Sequence, residues 1–204
     1  MYESLLEEAA ARAGMPAEAA AEAPESLLSG LLGLVSRVQP QLTWLANRSG
    51  LDEALIAAVF HDVAAYLGRD EIRKVVLDTV LETVPASGRL VLISHSLGTV
   101  VAMDLLTQLP DTLEVVELVT AGSPLGMDTV FNRLLSHGPH RPERVGSWLN
   151  AWCPADAVAI GCPLRTRWGG GLTEVITNNP KERAHSIEEY LADPRVAAPI
   201  GAAL

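Results

Sequence analysis

Five consecutive residues, Ser94-His95-Ser96-Leu97-Gly98, carry the strongest chemical signal in the chain. They stand between a short apolar run, Leu90-Val91-Leu92-Ile93, and a stretch of helical character that begins near Leu97. A sharp strand-to-helix turn holds its middle residue in a tight, strained backbone. It needs small neighbours so that other chain can approach, and Ser94 and Gly98 meet that need. Such a turn pushes the Ser96 hydroxyl out beyond the sheet edge and aims the first amides of the helix at the same point, so that Leu97 N–H can stabilise an oxyanion. The chemistry this suggests is attack by Ser96 on a carbonyl, and the alternative is a tight turn with no chemistry in it. A serine nucleophile needs an imidazole to take its proton and an acid to hold that imidazole in one tautomer.

The elements that must position such groups fall into two parts. Up to about Pro85 the pattern is helical and rich in alanine, leucine and acid, with turn signals at Gly14-Met15-Pro16, Ala23-Pro24, Gln39-Pro40 and Ser49-Gly50. The segment from Ser26 to Val38 is apolar on several faces and must be buried, by preference in the core. Ser49-Gly50-Leu51-Asp52 reads as a helix start with a capping-box pair, followed by an apolar face of Leu51, Leu55, Ala58, Val59 and Tyr66 that also takes in Asp62. A further helix carries Ile72, Val75, Val76, Val80 and Val84 on one face. After the turn at residues 85–88, continuous β-branched and leucine runs begin, as in strands covered on both faces. They are Leu90 to Ile93, Val115 to Thr120, Val145 to Trp152 and Thr173 to Thr177. Helices are expected from Leu97 to Leu109 and near Thr129 to Leu135, giving a β-α-β-α-β-β-α series and a parallel sheet.

At 204 residues the chain fits one domain, a helical region over 1–85 followed by a sheet core over 86–204. A hydrophobic share of 49% against 20% charged residues describes a folded globular protein rather than a disordered one. The 25 acidic against 15 basic residues leave a net charge of -10, which repels phosphate backbones, so no nucleic-acid partner is expected. Cys153 and Cys162 have no zinc-site spacing and read as free thiols, and neither a metal nor an organic cofactor is expected. The acidic start lacks the features of a signal peptide, and no apolar run spans a membrane, so a cytoplasmic location is expected.

The run Val91 to Ala102 resembles the nucleophile elbow of lipase-like and esterase-like α/β hydrolases. Gly122-Ser123-Pro124 is similar to the turn that lines the site after the next strand in many of these enzymes. Trp148 to Val158 resembles their strand that ends in an aspartate. The resemblance covers roughly Leu90 to Leu191 and implies a minimal α/β-hydrolase-like parallel sheet flanked by helices, with an all-helical N-terminal region in place of the usual first strands. It implies Ser96 as nucleophile, Asp156 as acid and His185 as base, in the chain order that fold uses. Asp128 rivals Asp156, whose other reading is a turn aspartate after Pro154. Among the histidines, His61 lies on the N-terminal helices, and His137 and His140 lie in a Gly-Pro-Arg-rich loop. His95, inside the elbow, is expected to point away from the nucleophile while joining Ser123 and Pro124 as a substrate-binding residue. His185 follows the last strand, immediately before a helix that Ser186-Ile187-Glu188-Glu189 would cap as a box. The other reading is a surface histidine beside a cap.

Relatives of this kind begin with a strand and a His-Gly loop that supplies the second oxyanion amide, and nothing before Leu90 reads as either. The nucleophile strand would then be a sheet edge, to be covered by the N-terminal helices or by a second subunit in a homodimer. The second oxyanion donor stays unassigned, with the N-terminal region and the side chains of Ser94 and Thr99 as candidates. The expected activity is hydrolysis of a small-molecule ester or lipid through an acyl-enzyme. Thioesterase, peptidase and phospholipid deacylase chemistry use the same groups. A binding module or fragment with vestigial catalysis is the alternative of another class. Apolar surface from the helices between Ser26 and Tyr66, if it faces the site, favours a hydrophobic acyl chain.

Overall fold

The structure, a computed structural model, describes residues 1–20 and 31–204, with side chains for 1–19 and 37–204. Helices come first: α1 (Tyr2–Arg12), α2 (Ala17–Ala20), α3 (Leu31–Ser49), α4 (Glu53–Gly68) and α5 (Asp70–Leu81). The strands β1 (Gly88–His95), β2 (Leu113–Ala121), β3 (Val145–Trp152) and β4 (Thr173–Ile176) then alternate with α6 (Leu97–Leu106), α7 (Asp128–Phe131) and α8 (Arg165–Trp168). The chain closes with α9 (Ile187–Ala192) and α10 (Pro194–Ala203). The strands form one parallel sheet in the order β1-β2-β3-β4. The α/β class, the parallel sheet and the helical start are therefore as the sequence implies.

Successive residues of a strand face opposite sides of a sheet, so the complete burial of both Leu118 and Val119 means that β2 is covered on both faces. One face packs with Val100 and Leu105 of α6 and, beyond them, with Phe60 and Leu5 of the N-terminal helices, in a hydrophobic cluster shared by both parts of the chain. On the other face Val119, Ala121, Leu149 and Ala151 meet Tyr190 of α9 and Val196 of α10. Each large side chain buried in this way contributes about 1.5–3 kcal/mol. All strands run the same way, so their carboxyl ends share one rim, where the loops after them converge.

Several local expectations are corrected. Helix α3 runs through Pro40 instead of turning there. A proline inside a helix lacks an N–H donor and crowds the preceding turn, but the burial of Val38, Leu42 and Leu45 on one stripe holds the helix together. Residues 26–30 of the apolar segment from Ser26 to Val38 lie outside the described residues, as do the side chains up to Ser36. Ser49 ends α3, its hydroxyl donating to Leu45 O, and it is Asp52 that caps α4 by accepting from Ala54 N. The buried stripe of α4 is Ile56, Phe60, Val63, Ala64, Tyr66 and Leu67, leaving Leu55 44% exposed. The helix is apolar nearly all round, so its packing partners set its phase where periodicity could not. On α5 only Leu77 is fully buried and Val75 faces out. Helix α7 is a single turn, and β3 and β4 are joined through α8 because parallel neighbours require a crossover rather than a hairpin.

Strand β1 pairs on one side only among the described residues. Leu90 and Leu92 pack on the shared cluster, whereas Ile93 on the opposite face is 43% exposed. The N-terminal helices reach the sheet through α6, where α4 and α5 make their contacts. No helix among the described residues is long and apolar enough to cross a membrane.

Candidate active site

Ser96 sits at the junction of β1 and α6 with φ 54 and ψ -131, one of two non-glycine residues with positive φ among those described. A conformation of this kind costs on the order of 1–3 kcal/mol and persists only where its surroundings impose it. Here Ser96 N–H donates to Ala121 O on the neighbouring strand, and its carbonyl accepts from Thr99 N and Thr99 Oγ1. The elbow is thus fastened from both sides. Leu97 opens α6, and among the described residues neither its N–H nor that of Gly98 has a hydrogen-bond partner, which leaves the first amides of the helix available at the rim.

His185, from the loop before α9, brings Nε2 to 2.9 Å from Ser96 Oγ. Its Nδ1 lies 2.8 Å from Asp156 Oδ2. An ionised carboxylate can only accept, so Nδ1 carries the ring proton and Nε2 accepts from the serine hydroxyl. Asp156 is held in a turn after β3 by its own N–H to Cys153 O, and its Oδ1 accepts from Val158 N at 2.8 Å. Asp156 and His185 are 2% and 7% exposed, so the chain of bonds is shielded from water up to the half-buried Ser96. The structure brings together the three residues expected to meet.

Other expected residues are placed differently. Ser94 Oγ donates to Val119 O and Thr99 Oγ1 is engaged with Ser96 O and Ser123, so neither hydroxyl is free as a second oxyanion donor. Ser123 and Pro124 are buried, and Ser123 accepts from Leu125 N as the cap of a 3₁₀ turn, so they support the rim from below rather than line a groove. Asp128 is half exposed and pairs with Arg12 at 2.8 Å and Arg167 at 2.5 Å. His61 is exposed beside Asp62. Ser186 does cap α9, but its hydroxyl bonds to Glu188 rather than closing a box with Glu189. His95 turns toward His185, their ring centroids 4.5 Å apart. Burial, then the neighbouring His185 imidazole, push the His95 imidazole below its ordinary range.

Two residues matter here that the sequence reading did not single out for these roles. Gly122 has φ 55, and a Cβ there would stand 2.9 Å from Asp156 Oδ2 and 3.1 Å from His185 Nδ1. The glycine lets Asp156 and His185 meet, whereas Gly98 of the elbow would have open space around a Cβ among the described residues. Gly122 stands in the Gly-Ser-Pro turn already noted for its resemblance, so the signal was there. Tyr190, fully buried, donates its hydroxyl to Asp156 Oδ2 at 2.7 Å.

A groove of about 360 Å³ runs beside His185, lined by His95, Ile187, Glu188 and Arg183, by Leu51 just before α4 and by Leu55 in its first turn. The N-terminal helices therefore present apolar surface to the site. An apolar hollow of about 660 Å³ between α1, α3 and α4 includes neither Ser96 nor His185 in its lining. Among the described residues no cluster of three or more His, Cys, Asp or Glu could hold a metal ion. The chain matches no protein-family model, no curated protein and no solved structure, so what the site does is read from its own geometry.

Proposed function

We propose that this chain is a serine hydrolase of the α/β-hydrolase kind that cleaves carboxylic esters through an acyl-enzyme. The observation that carries the proposal is the unbroken hydrogen-bond chain from Ser96 Oγ through His185 to Asp156, closed at 2.9 and 2.8 Å on a strained elbow. In the first step Ser96 Oγ attacks the ester carbonyl and its proton passes to His185 Nε2. The tetrahedral oxyanion forms beside Leu97 N–H, and the imidazolium is stabilised by Asp156. Collapse expels the alcohol, which takes the proton from His185. Water activated by the same imidazole then attacks the acyl-enzyme and releases the acid.

Leu51, Leu55 and Ile187 along the groove favour an ester with a hydrophobic chain. A fluorophosphonate probe labels the folded protein at Ser96, and Ser96→Ala abolishes labelling and lowers turnover on the order of 10⁴-fold or more. A series of p-nitrophenyl esters of increasing acyl length shows the best kcat/KM at intermediate or long chains. Folded protein that is neither labelled nor active across the series would be a binding module, and the proposal would fall.

A further inference from the structure

The hydrogen-bond chain does not stop at Asp156. Tyr190 of α9 places its hydroxyl 2.7 Å from Asp156 Oδ2, the same oxygen that His185 Nδ1 approaches at 2.8 Å, and its oxygen accepts from Cys153 N at 3.1 Å. A phenol has one proton to donate, and among the described residues the only acceptor it meets is the carboxylate, so the direction of each bond is decided. Burial, together with the adjacent carboxylate, drives the Tyr190 phenol far above its ordinary range, in keeping with a phenol that donates to Asp156. The ring is wholly buried on the sheet face, with its edge 3.1 Å from where a Cβ on Gly122 would stand.

We infer that Tyr190 is a positioning residue that tunes the base: by sharing Asp156 Oδ2 with His185, it fixes the carboxylate and draws off part of the charge available to the imidazolium. This rests on the hydrolase reading above for its kinetic consequence, but not for its structural one. With the phenol in place, Oδ2 has two donors and one orientation. Without it, that oxygen turns its full charge on Nδ1–H, the imidazolium is stabilised more, and among the described residues the carboxylate keeps only Val158 N–H and His185 Nδ1 to fix its orientation. A residue that merely filled space would do neither. Tyr190 also ties Cys153, at the end of β3, to α9, so that acid and base keep their spacing although they come from different loops.

The test is Tyr190→Phe, which keeps the ring in the core, compared with 2-fluorotyrosine at the same position, which keeps the hydroxyl and makes it a stronger donor. In Tyr190→Phe, kcat for a p-nitrophenyl ester falls on the order of tenfold with little change in KM, because the looser orientation of acid and base in the transition state outweighs the stronger charge on the imidazolium. The acidic limb of the kcat/KM profile moves to higher pH, and in the fluorinated protein it moves the opposite way. Proton NMR gives a readout that needs no activity: the His185 Nδ1–H resonance moves downfield in Tyr190→Phe and upfield in the fluorinated form. Labelled, active wild-type protein whose Tyr190→Phe variant has an unchanged pH limb and resonance would overturn the inference and leave the hydrolase reading standing. The NMR shifts in a protein that no fluorophosphonate labels would uphold the hydrogen-bond arrangement and remove the catalytic reading.

Discussion

Two buried aspartates in this protein have nearly the same surroundings and different outlets. Asp104 on α6 accepts from Tyr66 Oη at 2.9 Å and Leu135 N at 2.7 Å, and pairs with Arg73 Nε at 3.0 Å. Asp156 accepts from Tyr190 Oη at 2.7 Å, Val158 N at 2.8 Å and His185 Nδ1 at 2.8 Å. In each a tyrosine, a backbone amide and a nitrogenous side chain converge on a carboxylate that water does not reach. The difference is the third partner. A guanidinium stays charged and passes nothing on, so the Asp104 cluster can only fasten α4, α5 and α6 together. An imidazole has a second nitrogen that can accept and return a proton, and here that nitrogen points at a hydroxyl on the rim. Burial pushes the Asp104 carboxyl above its ordinary range, a sign of how much it depends on its partners.

The sharpest way to break this comparison is to neutralise each aspartate. Asp156→Asn lowers kcat on the order of 10⁴-fold, because the imidazole is left in the wrong tautomer, while thermal unfolding shows the fold intact. An active Asp156→Asn enzyme would move the acid elsewhere. Asp104→Ala does the reverse. It strips a nearly buried Arg73 of its counter-charge and lowers stability by about 3 kcal/mol in urea denaturation, with kcat per folded molecule within about twofold of wild type. A large kcat loss in that variant would mean that the two clusters are coupled.

Gly122→Ala separates the clusters in another way, since its methyl group would enter the space between Asp156 and His185. Displacement of the base by a few tenths of an ångström and strain at positive φ lower kcat about 100-fold, and steady-state kinetics on a short p-nitrophenyl ester would show it. The smallest effect concerns His95. Its folded imidazole is held below the ordinary histidine range, so the unfolded chain takes up a proton more readily and acidification favours unfolding. Between about pH 7 and pH 5 the melting temperature of His95→Gln therefore falls less steeply than that of the wild type. Parallel curves would show that this ring contributes nothing to acid lability.

Much of this arrangement was legible from residue order. The apolar run before Ser94 and the small residues around Ser96 specify a strand, a turn and a helix by local chemistry, and the continuous β-branched runs specify strands. The expectation that all of them are covered on both faces holds for β2 but not for the outer strands β1 and β4, where Ile93 and Ile176 are exposed. Strand β3 begins and ends where the pattern does, at Val145 and Trp152. The phase of α4 was not legible, because a helix apolar all round has no preferred face until α1, α3 and α6 pack on it. The role of Gly122 was half legible, as its turn was visible but not what stood above it.

What the sequence determined by itself, then, is whatever depends on neighbours in the chain: the strands, the elbow, and the loops on which Asp156 and His185 stand. Tertiary structure alone decided that Tyr190 and His185 share one carboxylate oxygen, that Ser123 is buried and that Leu55 faces the groove, because each depends on distances across the fold. Periodicity reports the face a residue occupies on its own element, and hydrogen bonds between elements depend on how those faces meet.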